Sequence, residues 1–117
     1  MKFEIFKYES VTSTNDVAID LIKEGKKEIG CVCANTQTKG KGTHGKKWVS
    51  REGNLFGSIF FPLEVNYPPF NEFSIINPVI ISDAIMLFCE KKKISFKWPN
   101  DLFINGKKIC GILQELV

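Results

Sequence analysis

Ile94-Ser95-Phe96-Lys97-Trp98-Pro99-Asn100-Asp101-Leu102-Phe103-Ile104-Asn105-Gly106-Lys107-Lys108 is the stretch on which the fold class turns. Two short apolar runs, residues 94–97 and 102–104, flank a Pro99-Asn100 turn, and Asn105-Gly106 then leads into a third run from Lys107 onward. Asn-Gly between apolar runs is the strongest short-range hairpin signal, because both residues tolerate the backbone that a two-residue turn demands. Hairpin signals of this kind outnumber strand-helix-strand signals along the chain. The expectation is therefore an α+β fold, with a mixed, largely antiparallel sheet and helices packed on one face.

Upstream of this stretch, Phe73, Ile76, Val79, Ile80, Ala84, Leu87 and Phe88 recur at helical spacing and predict a helix up to Glu90. Pro78 either kinks that helix or sits in its first turn. Lys91-Lys92-Lys93 reads as a helix C-terminus, where cations complement the dipole, in preference to a phosphate site. Residues 65–71, with Pro68 and Pro69, read as a connection, and residues 55–61 as a strand stopped by Pro62. Residues 35–54 are polar, carry Gly40, Gly42, Gly45 and Gly53, and show neither helical nor strand period. They predict a long loop, functional or disordered. Before it, residues 29–34 form a short apolar run suited to a buried strand. Ser13-Thr14-Asn15-Asp16 supplies capping side chains for a helix carried by Val17, Ala18, Leu21 and Ile22 and ended by Gly25. Residues 3–8 alternate apolar and charged, as a strand does.

With 117 residues and 44% hydrophobic content, the chain can bury roughly two-thirds of its unfolded surface in one core, so residues 1–117 are expected to form one domain. A net charge of +3 is too mild to argue for nucleic acid, and the basic residues cluster locally, between Lys39 and Lys47 above all. Cys31, Cys33, Cys89 and Cys110 lack Cys-x-x-Cys spacing, and His44 is the only histidine, which argues against zinc. Each cysteine lies in an apolar stretch, as reduced buried thiols do. No targeting signal or membrane-length apolar run is visible, and the expectation is a soluble cytoplasmic protein without a membrane partner.

Gly40-Lys41-Gly42-Thr43-His44-Gly45-Lys46-Lys47 comes within one residue of the phosphate-binding pattern G-x-x-x-x-G-K-[ST]. It fails where the chemistry is: Lys47 replaces the hydroxyl that would hold magnesium, and turn-like residues replace the following helix. The glycines would still let backbone N–H groups approach an anion flanked by Lys41, Lys46 and Lys47. On composition alone, a phosphate-bearing ligand and a mobile loop of solvated lysines are equally good readings.

Four segments stand out together: Ser13-Thr14-Asn15; Gln37-Thr38-Lys39-Gly40-Lys41-Gly42-Thr43-His44-Gly45-Lys46-Lys47-Trp48; Lys97-Trp98-Pro99-Asn100-Asp101; and Lys107-Lys108-Ile109-Cys110-Gly111-Ile112-Leu113-Gln114-Glu115. In this order they resemble the catalytic domain of biotin protein ligases, whose patterns are a Q-T-x-G-R-G-R-x-G-R-x-W loop, K-W-P-N-D and K-[IL]-x-G-I-L-x-E. The resemblance spans almost the whole chain. It implies a fold like that of class II aminoacyl-tRNA synthetases and biotin ligases. The implied activity is ATP-dependent conversion of biotin to biotinyl-5′-AMP, followed by transfer to a lysine of a biotin carboxyl carrier protein. It places Ser13, Thr14, Asn15, Gln37, Gly40, Lys41, Gly111 and Leu113 at biotin, and Gly42, Thr43, Lys46, Trp48, Asn100 and Asp101 at ATP or the adenylate. Lys108 becomes the catalytic residue that meets charge developing between carboxylate and α-phosphate, and Asp101 a candidate for holding Mg²⁺. Each has a plainer role open to it: helix capping for Ser13-Thr14-Asn15, core packing for Trp48, an exposed hairpin position for Lys108.

Lys41, Thr43 and Lys46 stand where the family loop usually has arginines, which removes the bidentate fork and, at Thr43, the charge itself. Leakier retention of the adenylate, or reliance on neighbouring Lys46 and Lys47, is expected, from a loop over residues 36–51 that is mobile without ligand and ordered with it. Family members continue with more of the sheet and usually a small β-barrel domain, so the chain reads as the N-terminal and central part of the catalytic domain. No room is expected for the N-terminal DNA-binding domain of some relatives, and with it no DNA partner. An open edge after Leu116 could pair with a second copy in a homodimer. The alternative of another class is a non-catalytic biotin or adenylate binder, or a fragment competent only to associate. Lipoate ligation is disfavoured, because the R-R-x-S-G-G-G motif of that family is absent.

Overall fold

The structure, a computed structural model, describes residues 3–89 and 93–117. They form two compact units, one reaching to Val65 and including Val117, the other Asn66–Leu116. Glu90, Lys91 and Lys92, and with them the expected end of the second helix and most of the lysine run, lie outside the described residues, as do Met1 and Lys2.

The first unit contains β1 (Ile5–Val11), α1 (Thr14–Lys23), β2 (Gly30–Gln37) and β3 (Phe56–Phe60), with the strands in the order β1-β2-β3. β1 runs parallel to β2 and β3 antiparallel to it. Ser13 caps α1 by accepting the Asp16 N–H at 3.0 Å, and Asp16 in the first turn and Lys23 in the last complement the helix dipole. The helix ends as its sequence predicts: Gly25 takes a φ of 64°, which a residue with a Cβ adopts only at a cost. Val17, Ala18, Leu21 and Ile22 then pack with Phe6, Val32 and Phe60 to make the core. Alternation along β3 buries Phe56, Ser58 and Phe60 and exposes Gly57 and Ile59. Cys31 and Cys33 alternate with the buried Val32 on β2 and are half-buried, short of the full burial expected of them.

Strand ends differ from expectation where the residues are polar. β2 continues through Asn35, Thr36 and Gln37, because Ser10 and Val11 of β1 stand opposite Thr36 and Gln37 and supply the ladder partners. Pairing, not hydrophobicity, sets those boundaries.

The second unit contains α2 (Phe73–Met86), β4 (Ile94–Lys97), β5 (Asp101–Ile104) and β6 (Lys107–Gly111). The strands form an antiparallel meander around the fully buried Leu102. Asn105 and Gly106 have φ of 51° and 74°, the left-handed pair that a tight hairpin turn uses. α2 continues past Pro78, which lies in its interior and is fully buried. The fold is α+β and rich in antiparallel pairs, as expected, but its strands form two three-stranded sheets where one was expected. Among the described residues no helix is long and apolar enough to cross a membrane.

Candidate functional site

In the first unit, the N-terminus of α1 meets the end of β2. Gln37 Oε1 accepts the Thr14 N–H at 2.8 Å and lies 3.3 Å from the Thr14 hydroxyl. The amide nitrogen of Gln37 donates to Ser50 Oγ at 3.0 Å, and Ser50 in turn donates to the Trp48 carbonyl at 3.3 Å. Below Thr14, its hydroxyl and that of Ser58 are 2.7 Å apart, and the Ser58 hydroxyl also reaches Asn15 Oδ1. Ser13, Thr14 and Ser58 are all more than nine-tenths buried. Ser13 caps the helix, while Thr14, Gln37 and Ser58 form one polar cluster.

The glycine-rich segment is a small hairpin and not an open loop. Gly42 N–H donates to Lys46 O at 2.7 Å, Trp48 N–H donates to Gly40 O at 2.9 Å, and Lys41 pairs with Lys47 across the stem. Thr43, His44 and Gly45 make the tip, with His44 at a φ of 57°. Gly40 is buried at the base: a Cβ there would meet Trp48 O at 2.5 Å, Ser50 Oγ at 2.6 Å and Gln37 Nε2 at 3.1 Å. Lys41 reaches back to Asp16 at 2.7 Å, tying the hairpin to α1. The ammonium of Lys41, donating to the Asp16 carboxylate, holds that carboxyl below its ordinary range against the opposing effect of burial. Lys46 is exposed and Trp48 half-exposed.

In the second unit, Lys108 on β6 forms an ion pair with Asp101 at the start of β5, Nζ to Oδ1, at 3.1 Å. Adjacent Asn100 is buried in a left-handed turn with φ of 75°. Its backbone is clamped on both sides: its N–H donates to Ser74 O at 3.3 Å, and its carbonyl accepts the Ile112 N–H at 3.1 Å. Pro78 explains the first bond. An α-helical residue at 78 would donate its N–H to Ser74 O; proline has none, so that carbonyl is open to Asn100. Asn100 Oδ1 is buried without a partner among the described residues, an acceptor that a ligand N–H could satisfy. Gly111 and Leu113 lie at and just beyond the end of β6. Burial, with the Asp101 charge secondary, pushes the Cys110 thiol up.

Sequence reasoning missed Ser50, Ser58, Asp16 and the Pro78–Ser74 pair. For Ser58 the signal was available: a serine between Phe56 and Phe60 on the buried face of an alternating strand must find a polar partner inside. Among the described residues no group of three or more His, Cys, Asp or Glu side chains could hold a metal ion.

Residues 8–117 match the family model described as the biotin/lipoate A/B protein ligase family. The chain is 35% identical over 107 residues to the bifunctional ligase/repressor BirA of Escherichia coli, covering 91% of this chain and 33% of that protein. It is 33% identical over 104 residues to a biotin--[acetyl-CoA-carboxylase] ligase of Paracoccus denitrificans, covering 88% and 43%. It thus spans about a third to two-fifths of the length of these curated relatives. The biotin protein ligase of Aquifex aeolicus, solved in complex with biotin and ATP, superposes with a TM-score of 0.82 at 30% identity, over 99% of this chain and 47% of that one. Sequence and fold agree over almost the whole chain, and it belongs to the biotin/lipoate A/B protein ligase family.

Proposed function

We propose that the protein carrying this chain is a cytoplasmic biotin protein ligase. Biotin's carboxylate attacks the α-phosphorus of ATP, giving biotinyl-5′-AMP and pyrophosphate. A lysine amine of a biotin carboxyl carrier protein then attacks the mixed anhydride, releasing AMP. The observation that carries this reading is the partly buried Thr14–Gln37 cluster, a small set of fixed polar groups of the kind that orients a largely apolar ligand by one polar edge. Biotin offers such an edge in its cyclic urea.

Ser13, Thr14, Asn15 and Gln37 bind and orient the urea. Gly40 allows the hairpin to approach closely, and Lys41, Gly111 and Leu113 contribute further contacts to biotin. Gly42, Thr43 and Lys46 face the phosphate, Trp48 offers an aromatic surface to the adenine, and Asn100 and Asp101 meet the nucleotide. Lys108 supplies positive charge where two anions are brought together, from a strand that holds it more firmly than a loop would. Asp101 is the carboxylate among the proposed nucleotide residues, a donor set that fits a magnesium ion arriving with the triphosphate and held by few protein ligands. That ion would neutralise phosphate charge; Asp101 would orient it.

The test is isotope exchange between pyrophosphate and ATP in the presence of biotin and Mg²⁺. Biotin-dependent exchange is expected. Calorimetric biotin binding with no exchange would instead identify a non-catalytic binder.

A further inference from the structure

We propose that Ser58 fixes the hydrogen-bond polarity of Thr14, so that the cluster presents an acceptor from Thr14 beside a donor from Gln37 and thereby selects a cyclic urea over a ring with no hydrogen-bonding edge. This rests on reading Thr14 and Gln37 as ligand-facing.

The protons can be counted. Ser58 Oγ donates to Thr14 Oγ1 at 2.7 Å, so the Thr14 proton is turned away from Ser58. It is directed to Gln37 Oε1 at 3.3 Å, which also accepts the Thr14 N–H at 2.8 Å. Thr14 Oγ1, accepting from Ser58, keeps one further lone pair, a site for a ligand N–H. Gln37 has its orientation locked at both ends, and its amide nitrogen gives one hydrogen to Ser50. The second hydrogen of that NH₂ group remains for a ligand carbonyl. Adjacent acceptor and donor match the N–H and C=O of a cyclic urea. Lipoate, whose ring is a dithiolane, gains nothing from either. Ser58 touches no ligand in this scheme; it is a positioning residue that acts through Thr14.

Dissociation constants for biotin and for lipoate would be measured by calorimetry in the wild-type protein, Ser58→Ala, Thr14→Val and the double variant. Ser58→Ala should weaken biotin binding by about tenfold or more, the scale of one buried hydrogen bond, and lipoate binding by less than about twofold. In the Thr14→Val background the further effect of Ser58→Ala on biotin should fall below about threefold, because both changes remove one coupled unit. Equal loss for both ligands, or effects that simply multiply, overturns the proposal and makes Ser58 a structural residue only. Should Ser58→Ala fail to fold, Ser58→Cys fills nearly the same space with a weak donor and must show the same selectivity for the proposal to stand. Wild-type protein that does not bind biotin overturns the ligand assignment, and this inference with it. Wild-type binding with an unselective Ser58 effect overturns the polarity argument alone.

Discussion

Lys108 and Gly40 show how differently two of the proposed functional residues can matter. Lys108 is exposed, its ammonium paired with Asp101 at 3.1 Å, so removing it should cost the fold little, since exposed pairs contribute at most about 1 kcal/mol. The role proposed for it lies in the reaction. Lys108→Ala should slow pyrophosphate exchange by roughly one to three orders of magnitude while the melting temperature stays within a few degrees of wild type. A wild-type exchange rate would refute the role. Gly40 is the reverse case, buried and closely packed where a side chain would begin. A methyl group there would sit 2.5 Å from the Trp48 carbonyl and 2.6 Å from Ser50 Oγ, so the hairpin base must open or Gln37 must turn away. Gly40→Ala should therefore weaken biotin binding by at least about tenfold. The same substitution at Gly45, whose Cβ would meet nothing within 4 Å but whose φ is 71°, should cost only backbone strain of about 1 kcal/mol. Equal effects at the two positions would show that close approach is not what Gly40 provides.

At the level of elements, what could be read from sequence depended on whether the signal was local. Asn105-Gly106 and Ser13 through Asp16 carry their own geometry, and both the hairpin and the helix start were legible. The end of β2 was not, because Thr36 and Gln37 become strand only through Val11 and Ser10, which are distant in sequence. The glycine-rich hairpin hid for a similar reason: its stem is held by backbone bonds such as Trp48 N–H to Gly40 O, which leave no mark on side-chain periodicity. Pro78 was read as a kink or a first-turn residue, and it lies in the helix interior, past the first turn. Interior proline forfeits a helix bond and costs about 3 kcal/mol relative to alanine, yet the forfeited acceptor, Ser74 O, receives the amide of Asn100. Pro78→Ala restores a competing N–H. Hydrogen exchange at the Asn100 amide should then speed up by about tenfold, the equivalent of one hydrogen bond, while amides of α2 exchange no faster than before. An unchanged Asn100 amide would mean that the turn is held without Ser74.

Considered whole, the protein draws its stability from packing and not from covalent staples. Composition indicated as much: the cysteines have no metal-site spacing, and the structure leaves all four free. What composition could not convey is how the strand places two of them. Cys31 and Cys33 share one face of β2 with their sulfur atoms 3.6 Å apart, in contact but well beyond the ~2.05 Å of a disulfide. Burial first, and then the hydrogen bond to Cys33, pushes the Cys31 thiol up to about 11 from an ordinary 9.0. A group whose pKa is raised by folding binds its proton more tightly in the native state, so its contribution to stability is complete below about pH 9 and is lost as pH climbs through about 11. The reactive species towards an alkylating agent is the thiolate. At pH 8 its population at Cys31 should be about a hundredfold lower in the native chain than after unfolding in urea, because each pKa unit changes the ratio tenfold. Iodoacetamide labelling followed by mass spectrometry reads this directly: Cys31 should be labelled about a hundredfold more slowly in the native protein, and a reducing agent should leave the melting temperature unchanged. A native disulfide would contribute about 2–4 kcal/mol, so its reduction would lower the midpoint by many degrees. Such a drop, or equal labelling rates at Cys31 in the folded and unfolded protein, would contradict a fold held by its core alone.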